Sequence, residues 1–530
     1  MNKGPKWLDT AVFYQIYPQS FSDSAGDGIG DIPGIIERLD YIASLGVNAL
    51  WLNPCWVSPM QDAGYDVADY MAVDPRYGSN DDLERLFGEA HKRGIKVCVD
   101  LVAGHTSIEH PWFKASCQPT PNEYSDRYVW TQSVFDAGDG SMGFVNGYAP
   151  RDGNYGINFF YCQPALNYGF AQPNPDCPWQ QPVDAPGPQA TRQAMRDVMD
   201  FWLEKGADGF RVDMAMSLVK RDPGRVETIK LWQEMRAWMD TNWPEAVLIS
   251  EWCNPTQALA AGFHVDFMIH FDVPGYPSLF LQREGSPWPG HSFFLREGQG
   301  TVTEFVGEYL KQRYACSEGY IAVPSGNHDF QRPNLMRGVD ELEVIFAFLL
   351  TWPGVPFIYY GDEIGMRYLV GLPSTEGGYA RTGTRTPMQW DDGPNAGFST
   401  ADETDLYLPI DPMPDRPTVA AQEEDDGSLL NHVRRLIELR HEWPALQASG
   451  DMRPLVADPW RYPFVYERRS GDERIVVAVN PAGRPVEATF KLDGVHKVDS
   501  LLARDATINV SGSTVHMAMA EVSYGIWRVS

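Results

Sequence analysis

The chain has no apolar run near the roughly 18 uncharged residues of a membrane span. Its N-terminus, MNKGPKWLDT, lacks the apolar core of a secretory leader. Both absences lead to the expectation of a cytoplasmic product without a membrane anchor. Cysteine is scarce: seven residues in 530, odd in number and scattered without metal-like spacing. That usage fits reduced thiols and excludes a disulfide framework or a zinc cluster. Basic charge is also in deficit, with 43 Lys and Arg against 71 Asp and Glu and a net charge of −28. Polyanionic partners require clustered cations, so nucleic acid is excluded, and a solvated, salt-tolerant acidic surface is expected. No low-complexity run marks a disordered region.

Apolar residues, by contrast, make up 43% of the chain, enough for a sizeable core, and aromatics are plentiful at 17 Trp, 24 Tyr and 25 Phe. Aromatic faces suit the C–H faces of sugars, but core packing uses the same residues, so their number decides nothing. The pattern along the chain says more. Ile35, Leu39 and Ile42 share a helical face, Gly46 ends it, and Val47 to Leu52 is an apolar run. Leu83, Leu86, Phe87 and Ala90 repeat the design before Gly94 and the run Val97 to Val102. Met195, Val198, Met199, Trp202 and Leu203 do so again before Gly206 and Ala207 to Asp213. Helix, glycine stop and buried strand in alternation mean a parallel sheet. Further strand candidates are Ala11 to Pro18, Val247 to Ser250, Phe267 to Phe271, Ile321 to Pro324 and Phe357 to Tyr360. Eight strands over this length favour an α/β fold, a (β/α)8 TIM barrel. The spacing assigns 1–105 and 191–447 to the barrel and 106–190, rich in Pro, Gly and Asn, to a loop-rich domain inserted after strand 3. Short strands with polar turns over 448–530 predict a C-terminal antiparallel β-sandwich.

Chemistry in such barrels sits at the C-terminal ends of the strands. Those ends offer Asp100 and His105, Arg211 and Asp213, Glu251, and Asn327-His328-Asp329. A capping or salt-bridge role explains one strand-end acid, but not several acids, two histidines and an arginine on one face. A proton donor beside a carboxylate is what glycosidic cleavage needs. Nearer the N-terminus, Asp23, Asp27 and Asp31 recur at every fourth position among glycines, a pattern suited either to a hard cation or to an ordinary Asx/Gly turn.

These motifs resemble the α-amylase superfamily, glycoside hydrolase family 13. DGFRVD resembles its nucleophile motif, SEW its acid/base motif and GNHD its third-carboxylate motif. DLVAGH, QPALN and the stretch from Gly354 to Glu363 resemble three more, in order. The resemblance implies Asp213 as nucleophile, Glu251 as general acid/base and Asp329 as the third carboxylate. Arg211 would orient Asp213, and His105 and His328 would bind sugar hydroxyls. Gly64-Tyr65-Asp66, Arg381 and RTPMQW from Arg385 resemble the exo-acting members, where an aspartate and an arginine clamp the terminal glucose and the tyrosine stacks on its ring. The Asp23–Asp31 loop resembles that group's metal loop, with Asp23, Asp27, Ile29 and Asp31 as candidate ligands for structural Ca²⁺ or Mg²⁺ and Ala25 where Asn is usual.

Gly104 and Ala165 replace the Asn and Asp that ligate calcium between the first two domains of α-amylases, which speaks against that site. Met214 after the nucleophile leaves the linkage open. The expected activity is retaining hydrolysis of small α-glucosides by a monomer or homodimer, with no cofactor required for the chemistry. The alternative is transfer or isomerisation at the same site, as in trehalose synthases and sucrose isomerases. A non-catalytic relative would lack a triad member or carry an anchor. Ser374 to Gly378 is a candidate for shaping the acceptor side.

Overall fold

A computed structural model describes residues 4–269, 275–280, 292–316, 318–376 and 381–530. Eight parallel strands close into a barrel: β1 (Phe13–Ile16), β2 (Ala49–Leu52), β3 (Lys96–Leu101), β4 (Gly209–Val212), β5 (Val247–Ser250), β6 (Val265–Phe267), β7 (Tyr320–Pro324) and β8 (Val355–Tyr359). Neighbours in sequence are neighbours around the barrel, and β8 pairs with β1. All eight strands are buried or nearly so. Core packing on both faces explains why they read as continuous apolar runs rather than alternating ones. β6 begins two residues before the expected start at Phe267, and His270 and Phe271 lie outside the described residues.

The helices form as their periodicity predicts. Asn80–Lys92 starts from a Ser79 capping box and buries Leu83, Leu86, Phe87 and Ala90. Pro186–Glu204 buries Met195, Val198, Met199, Trp202 and Leu203. Gly206 then takes φ +110°, and its N–H and that of Ala207 cap the Leu203 and Trp202 carbonyls. Only glycine enters that conformation cheaply, so the stop was legible. The run from Ile35 to Ile42 is divided at Arg38 into Ile32–Glu37 and Leu39–Ser44.

Between β3 and the helix Pro186–Glu204 the chain is mostly irregular. It holds one short helix, Pro111–Ser116, and a two-stranded ribbon, Phe144–Val145 with Tyr155–Gly156. It docks on the barrel through the His105–Ala165 bridge and the Ala171 and Lys220 backbones. The C-terminal strands are β9 (Asp451–Val456), β10 (Phe464–Ser470), β11 (Glu473–Asn480), β12 (Val486–Lys491), β13 (Val498–Ser511) and β14 (Thr514–Val529), all antiparallel. They form one hydrogen-bonded network rather than two separate sheets, because β13 and β14 run long and β13 bulges near Leu501 and Asp505. The sheet encloses a second apolar core around Val465, Phe490, Met517 and Trp527. Among the described residues, no helix is long and apolar enough to cross a membrane.

Candidate active site

Strand register brings the charged residues together. Asp100 on β3 lies directly beside Arg211 on β4, and Val212 beside Ser250 on β5. Asp213 and Glu251 therefore leave adjacent strands at the same height. Arg211, 2% exposed at its side chain, stands between them. Its Nη1 lies 2.9 Å from Asp100 Oδ1 and 3.1 Å from Asp213 Oδ1, and its Nη2 lies 3.1 Å from Glu251 Oε2. The guanidinium faces the Trp51 ring at 4.9 Å. Burial would discharge it, but Glu251, Asp100 and Asp213 hold it firmly charged.

One cation serves three acids, so the electrostatics are unequal. Burial and then the Glu251 charge push Asp213 well above the carboxylate range, with Arg211 opposing. Burial likewise raises Asp100 to about 6, although Arg211 and the Trp51 indole N–H (2.8 Å) favour its anion. The backbone is bent to suit the pair. Met214, next to Asp213, has φ +41°, and its N–H donates to Glu251 Oε2 at 3.0 Å. A left-handed non-glycine residue costs about 1–3 kcal/mol and persists where surroundings impose it.

Asp329 differs in charge state. Burial would raise its pKa, but the charges of Arg381 and Arg385 hold it far below the usual range. Arg381 Nη1 donates at 2.7 Å and Arg385 Nη2 at 3.1 Å, both to Oδ1. Burial keeps His328 neutral. The Gln15 amide donates to His328 Nδ1 at 3.0 Å, so Nε2 carries the proton and donates to the Tyr65 hydroxyl at 2.9 Å, with Asp329 Oδ2 lying 3.1 Å from the same nitrogen. With His328 neutral, its 3.1 Å approach to Asp329 is not an ion pair.

These groups surround a pocket of about 220 Å³ lined by Asp213, Glu251, Asp329, Asp62, Arg381, Tyr65 and His105, with Phe159, Met214, Met216 and Phe330 around them. Drug-sized sites run to roughly 300–1,000 Å³, so this one suits a single sugar ring. A larger hollow of about 510 Å³, near His264 and Gly319 at the other end of the barrel, holds none of the triad.

Of the residues expected from sequence, Asp213, Glu251, Asp329, Tyr65, His105 and Arg381 line the pocket. Arg211, His328 and Arg385 stand behind it, where Arg385 Nη1 pairs with Glu376 at 2.5 Å. Both nitrogens of His105 are already engaged. Lys220 Nζ donates to Asn158 Oδ1 at 2.8 Å, which turns the Asn158 amide N–H toward His105 Nδ1 at 3.2 Å. His105 Nε2–H then donates to the Tyr65 carbonyl at 3.1 Å. Tyr65 stacks on His328, its centroid 5.3 Å away, and its hydroxyl donates to Asp100. Gly104 makes room for this chain: a Cβ there would lie 2.6 Å from Asn158 Nδ2.

Two expectations are corrected. The arginine-paired aspartate is Asp62, not Asp66. Asp62 forms ion pairs with Arg381 and accepts from Gln163 Nε2 at 2.7 Å. Asp66 is turned away and accepts from Ser58, Gln61 and Asp62. The motif contains both acids, and only the turn between them decides which faces the pocket. The Asp23–Asp31 loop does not fit a cation. Asp23 accepts from the N–H groups of Gly26 and Gly28 and from the Ser399 hydroxyl. Asp31 accepts from the N–H groups of Ser24, Ala25 and Gly34, the last as a helix N-cap, and Asp27 accepts from that of Ile29. The three carboxylates are turned to backbone N–H groups and are not gathered round one point as the ligands of a cation must be. No group of three His, Cys, Asp or Glu among the described residues is arranged to hold one.

Sequence reasoning also missed Glu376, which collects Tyr17, Gln19 and Tyr407 from other segments and Arg385 from its own. Its only local signal was the stretch beginning at Ser374, of which Gly377 and Gly378 lie outside the described residues.

The alpha amylase catalytic-domain model matches residues 15–449. Trehalose synthase/amylase TreS of Mycobacterium tuberculosis is 32% identical, covering 91% of this chain and 84% of its own. An oligo-1,6-glucosidase of Parageobacillus thermoglucosidasius is 30% identical, covering 89% and 90%. The solved trehalulose synthase MutB of Pseudomonas mesoacidophila superposes with a TM-score of 0.81 at 27% identity, covering 99% of this chain and 100% of that one.

Proposed function

Because the chain belongs to the alpha-amylase family of glycoside hydrolases, we propose that it is a retaining, exo-acting α-glucosidase removing terminal glucose from small α-glucosides. The observation that carries this reading is the blind end of the pocket. There, among the described residues, Arg381 pairs with both Asp62 and Asp329 across one side of a small pocket, which suits one terminal ring better than a through-running chain.

In the proposed reaction Glu251 gives its proton to the glycosidic oxygen while an Asp213 oxygen attacks the anomeric carbon. The leaving sugar departs as an alcohol and a glucosyl ester forms on Asp213. Arg211 serves both acids. It stabilises the Asp213 anion before attack and the Glu251 anion after proton transfer. Asp329, held ionised, takes secondary hydroxyls as the ring flattens. Glu251 then removes a proton from water, whose oxygen attacks the same carbon and frees Asp213. Two inversions retain the α-configuration, and side chains alone supply the chemistry.

A sugar hydroxyl could replace water in the last step, giving transfer or isomerisation. The apolar side chains of Phe159, Met214, Met216 and Phe330 in the pocket lining favour this second reading, because they leave less of the site to water. A proton NMR time course with maltose, isomaltose, sucrose and trehalose tests both. Glucose appearing first as the α-anomer without new linkages establishes the hydrolase. New α-linked products outpacing glucose establish the transferase. Initial release of β-glucose refutes retention.

A further inference from the structure

The loop that presents Asp62 to the pocket has an unusual backbone. Met60 (φ 59°), Ala63 (φ 53°) and Gly64 (φ 94°) are left-handed within five residues, and two of them carry a Cβ. Residues of that kind hold such angles only where their surroundings impose them. Asp66 supplies the restraint. Its side chain is fully buried. Oδ1 accepts the Asp62 N–H and the Ser58 hydroxyl, each at 3.0 Å, and Oδ2 accepts the Gln61 N–H at 3.0 Å. Ser58 Oγ in turn accepts the Met60 N–H at 2.9 Å. One carboxylate thus gathers the loop on both sides of its bend. The charged and titratable neighbours of that carboxylate are Asp62, itself paired with Arg381, and the buried Cys162 thiol. All of the donors gathered by Asp66 are neutral, and burial lifts its pKa to about 6. Among the described residues no cation pairs with Asp66, and a buried acid so placed is an expensive way to stabilise a fold, which points to a positional role.

We propose that Asp66 is a positioning residue for the terminal-sugar clamp. It touches no substrate, and it fixes Asp62 in the one loop geometry that lets Asp62 meet both Arg381 and the sugar. Binding of the terminal ring therefore depends on Asp66 through Asp62, while bond cleavage does not. This rests on the reading of the pocket as a terminal-glucose site.

The test is a double-mutant cycle on the full chain with Asp66→Asn, Asp62→Ala and the pair. It measures kcat and KM on p-nitrophenyl α-D-glucoside and glucose affinity by titration calorimetry. Asp66→Asn is expected to raise KM and the glucose Kd about tenfold with kcat within about threefold, as removal of an orienting partner does. In the Asp62→Ala background the same change is expected to shift either constant by less than about twofold, since residues acting as a unit are non-additive. Equal effects in both backgrounds, or a fall in kcat with KM and Kd unchanged, overturn the assignment. Should Asp66→Asn fail to fold, Ser58→Ala, which removes one of the three donors, goes through the same cycle. Its expected effect is smaller and again confined to the background with Asp62, and additivity overturns the proposal equally. Calorimetry reads the clamp whether the wild type hydrolyses or transfers, so failure of the activity reading and failure of the Asp66 assignment are told apart.

Discussion

At the scale of single residues, Arg211 sets the behaviour of the site. It is shared by Asp100, Asp213 and Glu251, and in the proposed reaction Asp213 must be ionised to attack. Burial and Glu251 raise Asp213, so lowering the pH protonates it earlier than an ordinary aspartate, whose pKa is about 3.9. The acid limb of kcat/KM is therefore expected well above pH 4. Arg211→Lys, which loses the fork, is expected to move that limb higher still. A profile flat down to pH 4 would contradict this. Asp213→Asn and Glu251→Gln are each expected to lower kcat about 10³-fold. A substrate whose leaving group needs no proton is expected to restore the first step in Glu251→Gln alone. Asp213, Glu251, Asp329 and Arg211 were legible because each follows or ends a short apolar strand. Asp62 was not, because it shares its loop with Asp66 and a left-handed turn chooses between them.

At the scale of elements, the C-terminal end of the helix Val339–Thr351 is closed by side chains far away in sequence. Arg440, fully buried, donates to the Leu350, Trp352 and Gly354 carbonyls at 2.9, 3.0 and 2.5 Å. Arg468, on β10, donates to the Thr351 and Gln447 carbonyls. Positive charge at the carbonyl end of a helix also complements its dipole. Burial and then Arg468 lower the Arg440 pKa to about 9, because carbonyls rather than carboxylates hold it. Arg440→Met is expected to cost about 2–4 kcal/mol, the scale of two or three hydrogen bonds to a charged group offset by lost desolvation. Urea unfolding measures this, and kcat per folded molecule is expected to stay unchanged. The strands and helix stops were readable from apolar runs and glycines. These caps were not, because their partners lie about 90 residues or more away in the chain.

At the scale of the whole molecule, a net charge of −28 surrounds the barrel, and the pI is about 4.7. Repulsion among surface carboxylates opposes compaction, and added salt shortens its reach from roughly 30 Å at 0.01 M to about 8 Å at 0.15 M. Melting temperature at pH 7.5 is therefore expected to rise with sodium chloride over that range. Near the pI the rise is expected to vanish, and calorimetric scans at both pH values check it. A rise of equal size at the pI would assign the effect to the hydrophobic term instead.

Sequence alone determined the elements and which acids stand at their ends. Continuous apolar runs, period-3.6 apolar faces, glycine stops and strand-end acids depend on local physics, and eight strands leave few ways to bury them except a closed barrel. Tertiary structure decided matters of direction and charge. It placed Asp62 rather than Asp66 against Arg381, turned the Asp23–Asp31 carboxylates to N–H groups, and engaged both nitrogens of His105. It also gave three acids one arginine. Each of these turns on a backbone angle or a partner from a distant strand, and a residue's identity does not encode where its side chain points until the rest of the chain has closed around it.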